Sequence, residues 1–159
     1  MNKEVNEIVY KLIGICIELH KVLGPGFPVE VYKKALEIEL KEKELAFEAD
    51  KEFTITYKEV PVGTQKIDFL INESVILEIR SMQEDLLDLE IQKVLRMLPL
   101  SGASMGLLFN FGTPKIQYKR ILPSRAMRGE TPSVPRPDKV LRPKGYRETG
   151  RTRENNPIL

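Results

Sequence analysis

Two carboxylates sit in apolar company in the stretch IDFLINESVILEIRS, residues 67–81. Asp68 lies between Ile67 and Phe69, and Glu78 between Leu77 and Ile79. Burying an ionised carboxylate without a partner costs several kcal/mol, roughly the net stability of a small domain, so each requires a compensating cation. If Asn72-Glu73-Ser74 form the loop between two strands, Ile71 pairs with Val75 and Asp68 falls opposite Glu78. Side chains so opposed share a face, with Cβ atoms about 4.5–5.5 Å apart. A two-residue loop would shift the register by one and send the carboxylates to opposite faces. In the three-residue register, Asp68, Glu78 and Arg80 line one face, while Ile67, Phe69, Leu77 and Ile79 line the other. The cation between the two carboxylates is then Arg80 or Lys66, or else Mg²⁺. Mg²⁺ is a hard ion commonly held by one or two carboxylates, with water and phosphate completing its shell.

Other reactive side chains have more ordinary readings. His20 is the single histidine. Its place near Gly24, at the end of a helical pattern, suits a contact with the helix C-terminus or with loop carbonyls, and it is not assigned to catalysis. Tyr32 reads as a core residue with a tethered hydroxyl. Cys16, the single cysteine, can form neither an internal disulfide nor a zinc site and reads as a small core residue.

The elements that must position the acidic pair follow from periodicity. Residues 3–23 place Val5, Ile8, Val9, Leu12, Ile13, Cys16, Leu19 and Val22 at three- and four-residue spacing, an amphipathic helix ended by Gly24-Pro25-Gly26. Pro28 opens a second helix to about Leu45, with Tyr32, Leu36 and Leu40 inward. Phe53, Ile55 and Tyr57 alternate with polar residues, a half-buried strand, and Val62-Gly63 is the expected turn into a strand over 65–71. A strand over 75–80 follows, and then a helix over 83–98 with Leu87, Ile91, Val94 and Leu98 on one face. The apolar run 105–109 suits a strand covered on both sides, and 115–121 a last strand. The result is an α/β domain built on a mixed sheet.

Composition agrees with this single domain. The chain has 159 residues, 42% hydrophobic and 30% charged, which places it among ordinary globular proteins. The charged N-terminus MNKEVNEI lacks the apolar run of a signal peptide, and no stretch reaches transmembrane length, so a cytoplasmic location away from membranes is expected. From Pro123 onward there are nine Lys or Arg and four Asp or Glu, a local charge of +5, with six of the eleven prolines. The preceding part has a net charge of −3. The expected division is a folded domain over 1–122 and a basic, proline-rich, disordered tail over 123–159, either simply solvated or an arm that meets phosphate or an acidic partner.

Asp68, then Glu78-Ile79-Arg80 on the next strand, resembles the Asp…Glu-x-Lys signature of the PD-(D/E)xK nuclease superfamily. The stretches IELHKVLGPGF, Tyr32-x-x-Ala35-Leu36, Ser101-Gly102 and GLLFNFG further resemble its GxxExxY branch, over about residues 8–121. The resemblance implies a restriction-endonuclease-like αβββαβ core with an extra N-terminal helix. It also implies Mg²⁺- or Mn²⁺-dependent phosphodiester hydrolysis of DNA or RNA, with Asp68 and Glu78 as metal ligands and self-association left open. The same resemblance puts Arg80 at the lysine position, where it can supply charge but cannot take a proton. Val29 stands at the motif's Glu position, with Glu30 one residue on. Lys93 stands where Gln is usual, and Met97 where Tyr is usual. Lys93 is either a solvated flank lysine or a lysine that has moved from the strand to the helix and joins Asp68, Glu78 and Arg80 in catalysis. The alternative is an inactive nucleic-acid-binding or protein-interaction module on the same fold, its carboxylates paired to Arg80.

Overall fold

The computed structural model describes residues 2–123. The tail expected from 123 onward therefore lies, apart from Pro123 itself, outside the described residues. Among these, no helix is long and apolar enough to cross a membrane.

Helix α1 spans Lys3–Leu23, capped by the Asn2 side chain, which accepts from the Glu4 N–H at 3.1 Å. Its apolar stripe is buried as the spacing predicts, with one correction: Val22 is 75% exposed, while Ile15 is buried. Gly24, at φ +76°, ends the helix by donating to the His20 carbonyl, a backbone conformation that costs glycine little. Helix α2, Val29–Glu42, buries Tyr32, Leu36 and Leu40 as expected. It stops short of Leu45 because Glu44 turns into the left-handed region at φ +56°.

Five strands form one sheet in the order β1-β2-β3-β4-β5. They are β1 Phe47–Tyr57, β2 Val60–Ile71, β3 Val75–Arg80, β4 Met105–Asn110 and β5 Gln117–Ile121. All neighbours are antiparallel except β3 and β4, which run parallel and are joined through α3, Asp88–Ser101. The sheet is mixed, and the element order matches the expected core with its extra first helix. The α1–α2 layer packs on one face, over Phe69, Ile71, Leu77, Ile79, Leu107 and Phe109. On the other face α3 brings Val94, Met97 and Leu98 against Leu70, Ile76 and Leu108. Covered on both sides, β3 and β4 bury nearly every residue, which is why their sequences read as continuous apolar runs.

Two further boundaries and one face assignment differ from expectation. The β1–β2 turn is Lys58-Glu59, both at positive φ (48° and 67°), and Val62-Gly63 lies inside β2. Positive φ at both central residues suits a two-residue hairpin turn, but neither residue carries the glycine or asparagine signal. Pro61 and Gly63 instead flank a register shift in the ladder, where such residues are tolerated. Helix α3 begins five residues later than expected, so Leu87 is its 58%-exposed N-cap rather than a core residue. Ile67 packs with Leu70, Ile76 and Leu108 on the α3 side, not with Phe69. The change of side falls at Asp68, opposite Asp50, which has φ +54° and where the β1–β2 pairing is interrupted.

Candidate active site

The register between the two carboxylate strands is the expected one. Ile71 pairs with Val75, Leu70 with Ile76 and Phe69 with Leu77, across a loop with Asn72 and Glu73 at positive φ. The ladder stops one pair short of Asp68 and Glu78, and their side chains take over its bonding. The Asp68 N–H donates to Glu78 Oε1 at 2.8 Å, and the Ile79 N–H donates to Asp68 Oδ2 at 2.9 Å. Each carboxylate thus satisfies a backbone donor of the opposite strand, which ties the pair to the point where β2 and β3 part.

Cations reach the pair directly from two elements, β3 and α2. Arg80 Nη1 is 3.0 Å from Glu78 Oε2 and 3.7 Å from Asp68 Oδ2. Its Nε donates to Glu90 Oε2 on α3 at 2.7 Å, so one planar guanidinium joins strand to helix. Lys93 pairs with Glu90 Oε1 at 3.0 Å and reaches the acidic pair only through Glu90. Lys33, on α2, lies 2.8 Å from Asp50 Oδ1 and 3.2 Å from Asp68 Oδ1. Lys66, the other strand candidate, makes no salt bridge among the described residues. Of the expected site residues, Asp68, Glu78 and Arg80 are in direct contact.

Burial sets the electrostatics. Glu78 is 2% exposed. Its burial, reinforced by the charge of Asp68, pushes its carboxyl up to about 7 against the opposing pull of the Asp68 N–H and Arg80. Glu90 goes the other way: burial would raise it, but hydrogen bonds from Arg80 and Lys93 outweigh that and hold it below the usual range. Burial would likewise lower the Lys33 pKa, but Asp50 and Asp68 outweigh it, so Lys33 remains an ammonium ion.

The loop leading from β3 to α3 is pinned by one buried side chain. Asn110 Oδ1 accepts from the N–H groups of Met82 (2.8 Å) and Gly112 (3.1 Å). Its Nδ2 donates to the carbonyls of Met82 (3.1 Å) and Glu84 (3.0 Å). A Cβ at Gly112 would overlap the Met82 backbone, so the close approach needs glycine. Asn110→Ala is expected to cost about 2–3 kcal/mol, since it strands several buried backbone groups at once. Urea denaturation reads this directly, and a loss under half a kcal/mol would show that the pin is dispensable.

His20 Nε2 lies 3.0 Å from the Thr113 carbonyl, with its ring against Phe111, a tether from α1 to the loop before β5. The Tyr32 hydroxyl donates to the Gly24 carbonyl at 2.6 Å and accepts from the Phe27 N–H at 3.1 Å, so it holds the Gly-Pro-Gly turn. Both match the structural roles expected for them. Val29 packs on the α1–α2 core, and Glu30 is exposed. A cleft of about 790 Å³ between residues 83–86 and 113–119 contains neither Asp68 nor Glu78.

Sequence reasoning missed Lys33, Asp50 and Glu90. Lys33 follows Val29 by four residues and so shares its side of α2, which places it one turn from the motif's Glu position. Asp50 is opposite Asp68 once the β1–β2 register is known. Glu90 precedes Lys93 by one helical turn.

A solved structure described as the crystal structure of SSO0001 aligns with 62% of this chain at 23% identity and a TM-score of 0.50, a likeness of fold. The aligned part spans about half, 54%, of that chain. No curated protein matches the sequence. A family model described as the PD-(D/E)XK nuclease superfamily matches residues 6–121, the span that holds the mixed sheet, α2, α3, all but the first turn of α1 and the Asp68–Glu78 pair. The chain belongs to the PD-(D/E)XK nuclease superfamily.

Proposed function

We propose that the protein is a divalent-metal-dependent phosphodiesterase acting on DNA or RNA, with Asp68 and Glu78 as the metal-holding carboxylates. The observation that carries this reading is the convergence of those two groups where β2 and β3 part, with Glu78 still held up to about 7 beside Arg80. The Leu23-Gly24-Pro25-Gly26 turn and its Tyr32 tether support placement in the GxxExxY branch. Val29 at the motif's Glu position departs from that pattern.

The donor set fits Mg²⁺ or Mn²⁺. Both groups offer hard carboxylate oxygens, and each oxygen has a second acceptor direction beyond the donor it now binds. Among the described residues no group of three or more His, Cys, Asp or Glu is placed to hold a metal ion, so the protein would offer the two carboxylates alone. An open two-carboxylate site is the kind Mg²⁺ uses when water and substrate phosphate complete its shell. A divalent ion bound there would polarise the phosphate and acidify the attacking water. Arg80, fixed between Glu78 and Glu90, supplies positive charge for the developing phosphorane and stays protonated throughout. Lys93 serves this site as the counter-ion of Glu90, which keeps Arg80 aimed.

Calorimetric titration with Mn²⁺ and Mg²⁺, beside cleavage of single- and double-stranded DNA and of RNA, tests the reading. The wild type should bind the metal and cleave one of these substrates. Asp68→Asn should lose the binding heat and at least about 100-fold in rate, the scale of several kcal/mol of lost charge stabilisation. A wild type that neither binds the ions nor cleaves overturns the reading.

A further inference from the structure

We infer that Lys33, on helix α2, is the lysine of this site and contacts the substrate phosphate beside Asp68, with Asp50 as its positioning residue. The inference rests on the nuclease reading above and adds a second fixed cation, on the Asp68 side, to the charge that Arg80 supplies from the Glu78 side.

Among the described residues, Lys33 is the only lysine with an ion pair to Asp68 or Glu78. It meets Asp68 on Oδ1 at 3.2 Å, while Arg80 approaches Oδ2 at 3.7 Å. Arg80 is committed to Glu78 and Glu90, and the ammonium of Lys93 to Glu90. The side chain of Lys33 is 20% exposed, so the lysine is not sealed from solvent.

Asp50 is the second observation. It stands opposite Asp68, between the pairs Ala49–Phe69 and Lys51–Ile67, in a left-handed conformation at φ +54°. Aspartate tolerates that region better than most residues, yet the conformation still costs on the order of 1 kcal/mol and persists only where something requires it. Two carboxylates opposed across a strand pair repel, and a lysine that merely neutralised Asp68 would not need the second. What Asp50 adds is a 2.8 Å contact that fixes the ammonium in one place. Fixed cationic donors near developing phosphate charge are worth roughly 100- to 1,000-fold in rate.

The same contact makes Lys33 a competitor of a divalent cation for Asp68, and this separates the role from a structural one. Lys33→Gln, Lys33→Arg and Asp50→Asn are compared with the wild type and with the exposed neighbour control Lys34→Gln. The readouts are Mn²⁺ affinity by calorimetry, kcat and KM on the nucleic acid the wild type cleaves, and melting temperature. In Lys33→Gln, Mn²⁺ should bind several-fold tighter while kcat falls about 100-fold, whereas a counter-ion that only neutralised Asp68 would give the tighter binding without the loss of kcat. Lys33→Arg should recover most of the rate, and Asp50→Asn should lose about tenfold in kcat with KM unchanged. A Lys33→Gln protein that binds Mn²⁺ and cleaves like the wild type overturns the assignment and leaves the nuclease reading intact. One that loses metal affinity and rate together with its melting temperature, unrescued by arginine, also overturns it. Should Lys33→Gln fail to fold, an unchanged kcat in Asp50→Asn overturns it instead. A wild type that neither binds Mn²⁺ nor cleaves overturns the nuclease reading, and this assignment falls with it.

Discussion

Arg80→Ala should destabilise the metal-free protein by about 3 kcal/mol, the scale observed when one partner of a buried ion pair is removed. The guanidinium bridges Glu78 and Glu90, and it is the strongest cation near a carboxylate that is 2% exposed. Without it, Glu78 keeps only the Asp68 N–H and faces the Asp68 charge directly. Glu90 keeps Lys93. For a domain of this size the loss corresponds to a fall in melting temperature on the order of 10 °C. Millimolar Mg²⁺ should return part of it, because the ion binds only the folded state. Arg80→Lys should lose less, yet more than a surface change, since an ammonium cannot reproduce a planar fork that engages two carboxylates. Thermal melts in chelator, repeated with Mg²⁺, measure both effects. An Arg80→Ala protein within 1 kcal/mol of the wild type would show that the bridge carries little of the fold's stability.

The second large effect is on pH dependence. Glu78 titrates at about 7 in the folded chain, against 4.5 ordinarily. Between those values the folded state holds a proton that the unfolded chain releases, so stability must fall as pH rises through the interval. The contribution of Glu78 is full below about 4.5 and lost by somewhat above 7, a change on the order of 3 kcal/mol. The charged groups that face it are Asp68 from β2, Arg80 from β3 and, through Arg80, Glu90 from α3; Lys33 of α2 pairs with Asp68 and Asp50 and not with Glu78. Asp50 and Glu90 work in the opposite sense. Lys33 lowers the first; Arg80 and Lys93 lower the second against its burial. Their contributions are present above the ordinary carboxylate range and disappear in acid. Metal-free protein should therefore be most stable in mildly acidic solution, and Glu78→Gln should flatten its decline toward pH 8. Urea midpoints from pH 5 to 8 give the comparison. A stability gap between wild type and Glu78→Gln that stays constant over that range would show that Glu78 is ordinary.

Much of this site is legible in the chain because its two central residues are close in sequence. Period-two alternation and a short polar loop settle the β2–β3 register, and the register settles that Asp68 meets Glu78 and that Arg80 shares their environment. Helical period likewise identifies the buried faces of α1 and α2, and Tyr32 reads as a core residue with a tethered hydroxyl, although only the structure shows that its partner is the Gly-Pro-Gly turn. The boundaries that escaped, such as the Lys58-Glu59 turn and the late start of α3 after Leu87, are places where neighbours override weak local signals. Lys58 and Glu59 occupy left-handed conformations that neither prefers, because the β1–β2 ladder on both sides demands a tight reversal there.

What the sequence by itself determined is therefore local: the continuous apolar runs that bury β3 and β4, the apolar stripes of the helices, and the meeting of Asp68 with Glu78. Only the tertiary structure decided which cations answer that pair. Lys33, Asp50 and Glu90 come from α2, β1 and α3, elements whose mutual placement depends on packing against both faces of the sheet. Ion pairs between them carry no periodic signal, because a salt bridge needs only that two flexible side chains end within about 4 Å, whatever their spacing in the chain.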